Sequence, residues 1–283
     1  MSTFSSPEAW VILNSIEKTI EEKIIKNGIP LKKWDIQINY GIKTGFNDAF
    51  IITDEKRKEL IKIDPKSEQI IRPLLRGRDI KRYSYDFAEI FLITTFPSLN
   101  IDIELYPAVK EHLRSFGYDR LKQTGEHNSR KKTSNKWFET QDSIGYWEDF
   151  YKQKIVWKRV GSILRFSYDE TGAMALDSTC FATGRYIKFL VCFLNSKMGA
   201  YLMKDSPQTG TGDLLISVQA IEPLKIPLPS DKLDKTFELL LDSILNDKRM
   251  DKKNQVEIEQ KINQYIYDLY QLTPYEKAYI ENY

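Results

Sequence analysis

Strand-forming runs in this chain come in short groups set between helical stretches, and that grouping limits the fold more than any other feature. Trp34 to Tyr40, Ala49 to Thr53, Ile90 to Thr94 and Met174 to Ala182 read as strands, and Lys154 to Val160 with Ile163 to Tyr168 as a hairpin across Gly161-Ser162. Apolar residues at helical spacing (Trp10, Leu13, Ile16, Ile20, Ile24) predict a helix from Pro7 to Lys26, with Ser6 and Pro7 at its start. Asp64-Pro65 opens a helix expected to run through Ile70, Ile71, Leu74 and Leu75 to Gly77. Leu105 to Phe116 and Tyr186 to Met203 are further helical regions. After Ser230 the chain reads as helical to its end, with Ile258, Ile262, Tyr265, Ile266 and Leu269 on one stripe. A doubly wound sheet needs strands and helices to alternate one for one. The pattern here predicts an α+β fold of mixed small sheets with flanking helices and a helical C-terminal region. It divides into an N-terminal helix or linker (1–30), an α+β domain (31–230) and a C-terminal helical segment packed on it (231–283).

The first two strands flank an unusual loop. Tyr40 to Asn47 places Lys43, Thr44 and Asn47, with two aromatic residues, around Gly41 and Gly45. Glycines allow positive φ and close approach of the backbone to another surface. Lysine, threonine and asparagine are side chains that meet phosphates and base edges. An ordinary hairpin connection fits the same pattern.

The net charge of +2 hides an uneven distribution. Arg120, Lys122, Arg130, Lys131, Lys132 and Lys136 face only Glu126 between residues 120 and 136, a local net of +5. Between residues 72 and 82, Arg72, Arg76, Arg78, Lys81 and Arg82 face only Asp79, a net of +4, which leaves the remainder of the chain at −7. Two cationic segments in an otherwise acidic chain make a candidate polyanion-binding face, and solvated surface charge accounts for either one alone. Asp79 suits orienting one of its neighbouring arginines as well as it suits a contact. Gly117 to Asn135 has almost no apolar residues and no periodicity, so it is expected to be a long exposed loop. Lys158 and Arg159, at a strand end, could point to the same face.

Known catalytic and cofactor patterns are missing from the residues. With Cys180 and Cys192 as the only cysteines and His112 and His127 as the only histidines, neither a disulfide framework nor a four-cysteine zinc site can be built. No Walker loop or dinucleotide fingerprint occurs, and the TGTG of residues 209–212 lacks the required setting. Glu257 and Glu259, beside Lys261, are the weak carboxylate candidates for a metal-dependent nuclease, in a helix where a solvated face explains them equally. No metal or cofactor is expected in this chain. The N-terminus carries no signal-peptide pattern and no apolar run reaches membrane-spanning length, so the expected location is cytoplasmic, with no membrane partner.

The order of motifs carries a resemblance. YGIKTGFNDAF (40–50), IIRPLLRGRDIKRY (70–83), KWFETQ (136–141), QKIVWKRV (153–160), LDSTCF (176–181), FLNSKMGAYL (193–202), the glycine-rich loop before ISV (216–218), IPLP (226–229) and KINQYIYDLYQLTPYE (261–276) follow one another. The series resembles the TaqI-like C-terminal specificity domain, the target-recognition domain of type IIG restriction-modification enzymes and related adenine-N6 DNA methyltransferases. The resemblance implies a target-recognition-domain-like fold and sequence-specific binding of double-stranded DNA. Catalysis would lie outside this chain, in a methyltransferase or endonuclease domain in cis or in trans. That partner would hold S-adenosylmethionine and magnesium, because the family's Asn-Pro-Pro-Tyr-type motif does not occur here. Lys43, Thr44, Asn47, Arg76, Arg78 and Arg82 would then hold phosphates or a groove edge, with Arg120, Lys122, Arg130, Lys131, Lys132 and Lys136 on the long loop. Trp34, Ile155, Trp157 and Leu194 match positions of fold scaffolding. From a different class, a protein-interaction module would dock an acidic partner through the same basic segments, and the C-terminal segment, net −3, would form another interface.

Overall fold

The computed structural model describes residues 15–246 and 252–283. The expected Ser6-Pro7 helix start, Trp10 and Leu13 lie outside the described residues; the first helix is described over Ser15–Asn27.

Two four-stranded sheets organise the molecule. The central sheet runs Ile36–Tyr40, Thr179–Gly184, Lys154–Lys158, Phe166–Asp169, antiparallel throughout. The second runs Ile51–Thr53, Ile90–Ile93, Ile71–Leu75, Met174–Ala175, with the last pair parallel. Successive side chains of a strand face opposite ways, and the central sheet uses this to separate two cores. Ile155, Trp157, Cys180 and Ala182 face the core shared with the helices. Val156 and Phe181, one residue out of phase, face the core of the second sheet. The α+β class therefore holds.

Helix Ile187–Leu194 is apolar almost all round and lies between the central sheet and the C-terminal helices Asp231–Asn246, Lys252–Leu269 and Pro274–Glu281. Its one cation, Lys188, reaches Asp242 at 2.7 Å. The helical region expected from Tyr186 to Met203 breaks at Asn195-Ser196. Asn195 leaves the helix to clamp the backbone of Phe166, accepting from its N–H at 3.2 Å and donating to its carbonyl at 2.6 Å. Ser196 caps the next helix, Lys197–Leu202. Ser15–Asn27 docks on the last helix through Lys23 and Glu276, 2.6 Å apart. Trp34, Ile155, Trp157 and Leu194 are all buried, as scaffolding residues should be.

One local expectation fails, and one alternative reading is excluded. Residues 64–77 are not one helix but a 3-10 stretch, Pro65–Ile70, followed by strand Ile71–Leu75. Pro73, which no helix interior accepts, lies in that strand opposite Phe91. Nor is the glycine loop a hairpin, because the strand before it belongs to the central sheet and the strand after it to the second.

A buried ion pair bridges the edge of the central sheet. Strand register sets Lys154 opposite Asp169, and both side chains are excluded from solvent and bonded to each other. Lys154 also donates to the Phe150 carbonyl at 2.6 Å, while Asp169 accepts from the Tyr85 hydroxyl and the Thr171 hydroxyl, each at 2.7 Å. Burial lowers the Lys154 pKa. Burial alone would raise the Asp169 carboxyl, but Lys154 and the hydrogen bonds from Thr171 and Tyr85 outweigh it and hold it below its ordinary range.

Candidate nucleic-acid interface

The glycine loop joins the two sheets and is shaped by its own side chains. The Thr44 hydroxyl donates to Asn47 Oδ1 at 2.6 Å and accepts from the Phe46 N–H at 3.1 Å. Helix Asn47–Phe50 begins there, with Ala49 and Phe50 buried in the second core. Gly45 has φ of +80°, the region that favours glycine. Gly41 serves the other purpose expected of it, since a Cβ there would lie 2.0 Å from the Leu176 carbonyl oxygen. Gly41→Ala is expected to cost about 1–3 kcal/mol of stability. Denaturant unfolding checks this as a lower midpoint at constant slope; an unchanged midpoint would contradict the close approach.

The long loop is mostly exposed, as expected, but it is ordered by a buried Arg130. Arg130 is 2 % exposed, and its guanidinium lies over the Phe50 ring, 5.1 Å from the centroid. It donates to four backbone carbonyls: Leu121 at 2.8 Å, Thr44 at 3.0 Å, Glu139 at 2.7 Å and Trp137 at 2.7 Å. One side chain thus ties the glycine loop to both ends of the basic loop. Burial pulls its pKa down to about 10, so it remains charged at neutral pH. Buried Gln123 adds a second tie, donating to the Lys136 and Glu139 carbonyls at 3.1 Å each.

These contacts separate the expected site residues into two groups. Thr44 and Arg130 are corrected to interior positions that shape the loops. Arg76 is held by both oxygens of Asp79, at 2.9 and 3.0 Å, so Asp79 orients an arginine. Arg82 pairs with Glu259 at 3.2 Å and donates to the Asn195 carbonyl at 3.0 Å, which ties it to the C-terminal helices. Glu259 also accepts from Gln255 at 3.0 Å, which gives it a structural role in place of the nuclease role considered for it. Lys122 bridges Asp119 and Glu126. Arg120 lies half-buried over the Phe46 ring, 4.1 Å from its centroid. Among the described residues no group of three His, Cys, Asp or Glu side chains could hold a metal ion, and no helix is long and apolar enough to cross a membrane.

Lys43, Asn47, Arg78, Lys131, Lys132 and Lys136 are exposed. Asn47 spends its carbonyl oxygen on Thr44, and Lys136 lies 3.9 Å from Glu139. Lys43 lines an open polar cleft of about 650 Å³ between the glycine loop and residues 133–146, together with Tyr40, Gln141, Asp142, Arg159 and Asp177. Burial raises the Asp142 carboxyl above its usual range against the opposing effect of Lys43. Lys158 packs its side chain against Gly77 and Gly161, where an added Cβ would stand 2.9 and 3.4 Å from it. The sequence indicated Lys43 and Arg159, whereas Gln141 was visible only as the polar end of KWFETQ after the basic loop and Asp177 only within LDSTCF, neither as a cleft residue.

The chain matches the TaqI-like C-terminal specificity domain family over residues 72–226, more than half its length. No curated protein matches it. Among solved structures it is similar to the type IIL restriction-modification enzyme MmeI, determined in complex with DNA, at a TM-score of 0.59 and 15% identity, over 89% of this chain and 35% of that one. It is also similar to the type IIG restriction endonuclease BpuSI, at a TM-score of 0.50 and 16% identity, over 91% of this chain and 33% of that one. The chain thus spans about a third of each enzyme's length, and at these identities the likeness is one of fold.

Proposed function

The chain belongs to the TaqI-like C-terminal specificity domain family, and from that premise we propose that it binds double-stranded DNA sequence-specifically as the target-recognition part of a restriction-modification enzyme. The observation that carries this reading is the polar cleft. Two loops about ninety residues apart are tied together by Arg130 around a groove that Lys43 and Arg159 enter. Arg78, Lys131 and Lys132 supply further exposed cations from the two basic segments, and Lys136 is only loosely paired, 3.9 Å from Glu139. Cations with no internal partner are available to phosphates, and the field of two basic segments attracts a polyanion.

On this reading the parent is a type IIG-like enzyme whose adenine-N6 methyltransferase and endonuclease parts lie elsewhere, in cis or in trans. S-adenosylmethionine and magnesium belong to those parts, and this chain contributes readout and grip.

The test is titration of duplex DNA with the purified chain over a series of salt concentrations. Replacing both Lys131 and Lys132 by alanine should weaken binding to all sequences alike and flatten the salt dependence by roughly one unit of slope for each phosphate no longer neutralised. Arg78→Ala should behave similarly. An unchanged slope in both variants would take these residues out of the interface.

A further inference from the structure

We infer that Arg159 is a specificity-determining residue of the cleft, reading guanine in the major groove rather than holding a phosphate. The inference rests on the DNA-binding reading above and adds a base-contact role at one position.

Arg159 differs from most arginines of the molecule in what its side chain has left to give. Arg130 is committed to four carbonyls, Arg76 to Asp79, Arg82 to Glu259 and Arg185 to Asp231. Among the described residues, the Arg159 guanidinium has no hydrogen-bonding or ion-pair partner. Its only side-chain neighbour of note is the Tyr40 ring, with the guanidinium carbon 6.0 Å from the centroid. A guanidinium on a ring face keeps its in-plane N–H groups free, and those are the donors that meet guanine O6 and N7 as a pair.

The backbone that carries Arg159 and the ring it faces are both held in place. The Arg159 N–H donates to the Ser178 carbonyl at 3.0 Å, and its carbonyl accepts from Ile216 at 2.8 Å. Tyr40 is fixed in turn. Its hydroxyl donates to Gln219 Oε1 at 2.6 Å, and its carbonyl accepts from the Tyr146 hydroxyl at 2.9 Å. Phosphate contacts tolerate long, mobile side chains such as Lys131, whereas base readout needs donors held within a fraction of an ångström. Asp177 lines the same cleft. A carboxylate in the cleft disfavours phosphate there and is compatible with a base edge, which carries donors as well as acceptors.

The experiment is selection from a randomised duplex pool with the purified chain, its Arg159→Ala variant and its Arg159→Lys variant, each first checked by thermal melting. The wild-type chain should enrich a motif containing a guanine. Arg159→Ala should lose preference at that one base pair by about 5- to 100-fold while the other positions stay enriched. Arg159→Lys should keep the salt dependence yet still lose the preference, because an ammonium cannot form the paired contact. An intact motif in both variants, or a uniform loss repaired by lysine, would overturn the inference and leave the DNA-binding reading standing. No binding by the wild-type chain would overturn both.

Discussion

Replacing Arg130 by methionine is expected to destabilise the protein by about 3 kcal/mol, the largest effect of any single change in the basic loop. The Leu121 and Trp137 carbonyls would each lose the donor that Arg130 provides. The Thr44 and Glu139 carbonyls would keep only Gln141 N–H and the Gln123 amide. A buried acceptor without a donor costs about 1–3 kcal/mol, offset in part because methionine does not have to be desolvated as a charge. In a chain of this size the loss corresponds to a melting point lower by roughly 6–12 °C. DNA binding should fall further than in the Lys131/Lys132 double alanine variant, since the glycine loop and the basic loop would separate. Melting within about 2 °C of wild type would mean that the four carbonyls find other partners, and that the loop does not depend on this residue.

Lys154→Met is expected to have a comparable or larger effect, about 3–5 kcal/mol, because it leaves Asp169 buried as an uncompensated charge. Its pH dependence distinguishes this explanation from simple cavity or strain effects. In the wild-type chain the Asp169 pKa is depressed when folded. Its contribution is therefore present above the ordinary carboxylate pKa of about 4 and is lost as the pH falls through the folded value. Without Lys154, burial is the leading influence and raises the folded pKa of Asp169 above the unfolded one. Stability in the variant is then retained at low pH and lost as the pH rises. The gap between wild type and Lys154→Met should narrow on acidification from pH 7 toward pH 4. A gap independent of pH would show that the charge of Asp169 is not the cause.

Arg130 also shows what in the long loop was illegible in the sequence. A segment poor in apolar residues reads as exposed. Here the core position is taken by a cation that faces an aromatic ring and four carbonyls, and no periodicity marks such a residue. Residues 64–77 misled for the opposite reason: Ile70, Ile71, Leu74 and Leu75 fall at helical spacing, and only Pro73 argued against it. The strands flanking the glycine loop were recognisable, but their membership of different sheets depends on pairing with Thr179–Gly184 and Ile90–Ile93, far along the chain. The α+β class was legible because it needs only the grouping of elements. Lys43 was legible as a site residue because it sits in a loop of unusual content, and Arg159 only as a cation at a strand end. Gln141 and Asp177 meet them solely through the fold.

Selection of the wild-type chain on a randomised duplex pool at two salt concentrations tests the central claim most directly. An enriched motif, with affinity falling steeply between the lower and higher salt, is the result the account predicts. Absence of binding at both concentrations would contradict it and turn the basic segments toward a protein partner.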